Sequence, residues 1–89
     1  MDKTLYQIRI EESELTDYIL GRISGMLDFY AYDGTNVKST DVLYVGEEWI
    51  FNCEMSHDTY LKVRDYITKC YPNRNFKYFK IINNQKFYA

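Results

Sequence analysis

Between Glu48 and Ile82 the spacing of the apolar residues changes twice, and this limits the architecture more than any other feature. In "EWIFNCEM" (48–55), Trp49, Phe51, Cys53 and Met55 alternate with Ile50 and Asn52, the period of a strand. From Tyr60 the spacing lengthens, and Tyr60, Val63, Ile67 and Cys70 fall three and four apart, as on one side of a helix. Ser56 is placed to cap that helix, while Asp58 in its first turn and Lys69 in its last complement the dipole. Pro72 ends it at Tyr71, because the residue before a proline is pushed out of the α region. "FKYFKII" (76–82) then returns to alternation, with Phe79 and Ile81 opposite Phe76, Tyr78 and Lys80. Asn83 and Asn84 tolerate positive φ, so "QKFYA" is expected to fold back as a short arm.

The first half carries the same two periods. Tyr6, Ile8 and Ile10 alternate with Leu5, Gln7 and Arg9 in a strand. Ser13 is the expected N-cap of a helix over 14–24, with Leu15, Tyr18, Ile19, Ile23 and Met26 on one side and Gly25 at its end. "MLDFYAYDG" reads as a strand, with Leu27, Phe29 and Ala31 opposing Asp28, Tyr30 and Tyr32; "DVLYV" is another, and Gly46–Glu47 turns it into the strand at 48. The resulting order, β-α-β-β-β-α-β, predicts an α+β two-layer sandwich of ferredoxin-like outline. Two helices would lie on one face of a mixed, mainly antiparallel sheet, with a right-handed parallel crossover after the first strand.

Eighty-nine residues fit one globular domain, 1–89, with a small core to which ten tyrosines, five phenylalanines and one tryptophan contribute much of the area. No run reaches the ~20 apolar residues that span a bilayer and the N-terminus lacks a signal-like apolar stretch, so a cytoplasmic protein without membrane contact is expected. Two cysteines, Cys53 and Cys70, fit reduced thiols better than a disulfide framework. Residues with A/T-rich codons (Ile, Lys, Asn, Tyr, Phe) outnumber Gly, Ala, Arg and Pro by 36 to 11, which suits a low-GC genome, its phages or its mobile elements.

Chemistry is hard to place on this chain. His57 is the only histidine, and Cys53 shares its strand side with Trp49 and Phe51, so a thiol–imidazole pair is not expected. Cys53, His57, Asp58 and Cys70 lack standard metal-ligand spacing, and no glycine pattern cradles phosphate. The expectation is therefore a non-enzymatic protein with no cofactor and no metal.

Charge and rings point to contact instead. Residues 1–58 hold twelve acids and four bases, residues 59–89 one acid and seven bases, a split that suits two partners, self-association or neutralisation within the fold. Tyrosine and tryptophan are enriched at binding hot spots, and a helix-free sheet face would present some of Tyr30, Tyr32, Tyr44, Tyr78 and Trp49. The expected partner surface combines Glu11, Glu12, Glu14, Glu47 and Glu48 as an acidic face with Tyr30, Tyr32 and Trp49 as anchors. The partner would be another protein or complex, bound and blocked as phage-encoded anti-CRISPR inhibitors block host defence complexes; a homodimer is also open. The alternative is single-stranded nucleic acid, with Arg74, Lys77, Lys80 and Lys86 on phosphates and Phe76, Tyr78 and Tyr88 stacking on bases. Against it stand a sequence pI near 5.3 and the absence of the ribonucleoprotein octamer.

Overall fold

The computed structural model of the chain describes residues 3–31 and 41–89. Its elements run β1 (Thr4–Glu11), a 3-10 turn (Glu12–Glu14), α1 (Asp17–Ala31), β2 (Asp41–Val45), β3 (Glu48–Met55), α2 (His57–Cys70), β4 (Lys77–Ile82) and β5 (Gln85–Tyr88). The strands form one open sheet in the order β2-β3-β1-β4-β5, every neighbouring pair antiparallel. Both helices pack on the same face, giving the two-layer α+β arrangement close to a ferredoxin-like outline.

The register decides which side chains that layer buries. Tyr6 lies opposite Cys53, and Ile8 opposite Phe51 on one side and Tyr78 on the other, so these share the helix-covered face. Ile19, Ile23 and Leu27 of α1 and Tyr60, Val63 and Ile67 of α2 close over them as one buried cluster. Full burial of each such side chain stabilises by about 1.5–3 kcal/mol. At the centre the rings of Tyr6 and Tyr60 stack parallel, 4.1 Å between centroids.

Several local expectations hold. The Ser56 hydroxyl accepts the Thr59 N–H at 3.2 Å, capping α2, and α2 ends before Tyr71 (φ −131°, ψ 61°). Asn83 (φ 52°) and Asn84 (φ 63°) make the tight turn into β5, and Gly46 (φ 65°) makes the one between β2 and β3.

The segment read as a strand at 27–32 is different: α1 continues to Ala31, and Tyr32 lies outside the described residues. Ile19, Ile23 and Leu27 recur every fourth residue, and Leu27, fully buried, extends the stripe that a stop at Gly25 would cut short. Neither Gly21 nor Gly25 has positive φ, so neither ends the helix. Thr16, not Ser13, caps it, its hydroxyl accepting the Ile19 N–H at 3.2 Å. No strand forms at 27–31, but β1 and β2 (Asp41–Val45) both pair antiparallel with β3 and so run parallel with β3 between them, which makes β1-α1-β2 a split parallel crossover. The next strand, β2, pairs antiparallel with β3 at the sheet edge, leaving β1 central. Among the described residues, no helix is long and apolar enough to cross a membrane.

Candidate protein-binding surface

The β1–β3 register places Glu11 opposite Glu48, and the Glu12 N–H donates to the Glu47 carbonyl at 2.8 Å. Two acidic runs far apart in sequence thereby meet at one end of the sheet. Glu11, Glu12, Ser13 and Glu47 line a shallow cleft of about 160 Å³. Left-handed Gly46 permits the tight turn that brings Glu47 there.

Tyr44 borders this rim from the edge strand. It lies opposite Trp49, their rings 4.9 Å apart. Its hydroxyl hydrogen-bonds the Glu12 carboxylate; that bond first, then burial and the charges of Glu12 and Glu47, raise its pKa above the ordinary 10.0. Tyr44 is therefore a neutral donor at physiological pH. It is 46% exposed, and on the other side of the same edge strand Leu43 (49%) and Val45 (59%) are also open. An acidic rim thus adjoins exposed aromatic and aliphatic surface, a combination suited to contact rather than to bond-making.

The other expected contact residues are differently placed. The Glu14 carboxylate accepts the Asn75 N–H at 2.9 Å and its side-chain amide at 3.4 Å, tying down the 72–76 turn. Glu48 lies between Arg9 (3.4 Å) and Lys77 (3.5 Å). Both acids serve internal contacts. Tyr30 belongs to α1, edge-on to Phe29 at 5.4 Å and packed against the core, because the helix continues where a strand was expected. Trp49 is half-buried on the helix-covered face with Ile10, and Tyr44 lies beside it on that same side at the sheet edge, so Trp49 does not stand on an open face. Tyr44 carried a legible signal, its place in an alternating strand; Leu43 and Val45 show only once β2 is known to be an edge.

Strand alternation separates the residues of the nucleic-acid alternative. Tyr78 faces the helices, edge-on to Tyr60 at 6.3 Å and beneath the Arg64 guanidinium at 4.6 Å, and Lys80 shares that side. Lys77 and Lys86 point to the opposite face, beside Phe79. That ring is only 7% exposed, flanked by Tyr88 (5.1 Å), Lys86 (4.6 Å) and Arg9 (5.5 Å). Arg74 and Phe76 belong to the turn before β4. These residues do not form one stacking platform.

Cys53 is buried, with its thiol near the Glu54 carbonyl, and the His57 Nδ1 meets the Tyr6 hydroxyl at 3.3 Å. Among the described residues, no three or more His, Cys, Asp or Glu side chains converge as a metal site. The chain matches no protein-family model and shows no significant similarity to a curated protein.

Proposed function

We propose that this chain is a non-enzymatic binding protein that sets the acidic, aromatic end of its sheet against a basic surface of another protein or complex. One observation carries the reading: Glu11, Glu12 and Glu47 are held together by the Glu12–Glu47 main-chain bond, next to the exposed Tyr44 ring. Clustered like charges repel, and a cationic partner relieves that repulsion while adding steering over roughly 8–10 Å. Tyr44, Leu43 and Val45 supply the apolar contact.

The finer form of the proposal is inhibition. A rim of carboxylates imitates the charge of a phosphate backbone, and the A/T-rich-codon bias suits a phage or mobile-element protein acting in a host cytoplasm on a defence complex of the kind anti-CRISPR proteins block.

Affinity capture from the source cells, followed by mass spectrometry, tests both forms against a Glu12→Lys, Glu47→Lys, Tyr44→Ala triple variant. The natural chain should retain a basic partner that raised salt releases, and the variant should lose it by at least ~30-fold. Equal capture by the variant, with its circular dichroism unchanged, would refute the assignment of this surface.

A further inference from the structure

Three residues that the nucleic-acid reading singled out, Arg74, Phe76 and Tyr78, do meet, but in a cleft between α2 and β4. Arg64, Thr68 and Tyr71 of the α2 side join them around a volume of about 170 Å³. Strand order puts this cleft on the far side of β1 from the β2 edge, so it is separate from the surface proposed above.

Its electrostatics are one-sided. Two guanidinium groups line the cleft, and no carboxylate does. Oxygen acceptors hold both in place: the Arg64 Nη1 donates to the Tyr60 hydroxyl (3.2 Å) and to an Ala89 main-chain oxygen (2.7 Å), and the Arg74 Nη1 to the Glu14 main-chain oxygen. These bonds fix the orientation of both guanidinium groups. Each guanidinium has five N–H donors, so most remain for a ligand. The walls are flat. Arg64 lies over the Tyr78 ring, and Tyr71 and Phe76 sit 6.3 Å apart, tilted at 41°. A paired arginine fork matches a tetrahedral oxyanion, and rings beside it match a planar group.

We propose that the α2–β4 cleft is a binding site for a phosphate monoester carried on a flat ring. Arg64 and Arg74 take the phosphate, while Tyr71 and Phe76 take the ring. The same chemistry is presented by a nucleotide and by an aryl phosphate.

Backbone-amide NMR of the full chain tests this, titrated with uridine monophosphate and phenyl phosphate at ~150 mM salt. Uridine, phenol and inorganic phosphate are the controls. At least one ring-borne phosphate should saturate shifts at Thr68, Tyr71, Arg74 and Phe76, about tenfold tighter than inorganic phosphate or its own neutral ring. Preference for uridine monophosphate assigns a nucleotide source, and preference for phenyl phosphate an aryl phosphate; either supports the site. Arg64→Gln and Phe76→Leu should each weaken binding about tenfold. Phe76→Leu keeps every charge, so it decides the matter if Arg64→Gln disturbs the fold. No saturation below ~10 mM, equal binding of inorganic phosphate, or shifts centred on Lys77 and Lys86 would overturn the proposal.

Discussion

Replacing Tyr6 and Tyr60 with leucine, singly and together, measures how much the ring stack at the centre of the core contributes. Tyr60 is 1% exposed and Tyr6 3%, and their rings lie parallel at 4.1 Å. Truncating a buried aromatic to alanine costs about 3–5 kcal/mol; leucine retains much of the volume, so about 2–3 kcal/mol is expected for each single change. At position 60 roughly 1 kcal/mol of that belongs to the hydroxyl, which accepts a hydrogen bond from Arg64 at 3.2 Å. Tyr60→Phe isolates this share. The stack itself is the part that fails to add: a close aromatic pair contributes about 0.5–1.5 kcal/mol beyond area burial. The double variant should therefore lose less than the sum of the singles by that amount. Urea unfolding of the four proteins, followed by circular dichroism, reads the cycle directly. Thermal midpoints give a second reading, since 1 kcal/mol moves Tm by about 4–8 °C in a domain of this size. Additivity within ~0.3 kcal/mol would show that the rings merely occupy adjacent space.

Ser56→Ala should destabilise by about 1 kcal/mol in the same urea assay, because the hydroxyl that accepts the Thr59 N–H is lost, and Ser56→Asp should restore most of it. Stability should also fall at alkaline pH. Burial is the first cause raising the pKa of Tyr6, Tyr60 and Tyr78 above 10.0, so the unfolded chain ionises first. The contribution of these rings is complete below pH 10 and is lost as the pH rises from there through their folded-state values. Urea midpoints and phenolate absorbance between about pH 9 and 11 check this, and a midpoint that climbs across that range contradicts it.

What could be read in the chain depended on how local its cause was. The bounds of α2 follow from Ser56, Tyr71 and Pro72, whose effects reach only a residue or a turn, and the turn at Asn83–Asn84 follows from their tolerance of positive φ. Residues 27–31 were ambiguous because Leu27, Phe29 and Ala31 satisfy the period of two while Ile19, Ile23 and Leu27 satisfy that of a helix. Burying Leu27 over the sheet resolves the conflict in favour of the helix, and the parallel crossover from β1 is completed further along the chain by β2, with β3 between the two strands. For the candidate surface, the acidic residues were legible but their fates were not. Glu11, Glu12 and Glu47 gather at the end of the sheet, Glu48 bridges two cations, and Glu14 holds a turn. That sorting depends on which strands neighbour β1.

The sequence by itself determined the class of fold, since alternating and helical periods with their caps and turns already demand helices laid on a sheet. Only the tertiary structure decided what meets what: pairing register joins Glu12 to Glu47, and strand alternation sends Tyr78 towards the helices and Lys77 away from them. The physical reason is range. Caps, turns and periodicity act within a few residues, whereas strand order and register are set by the burial of the whole core.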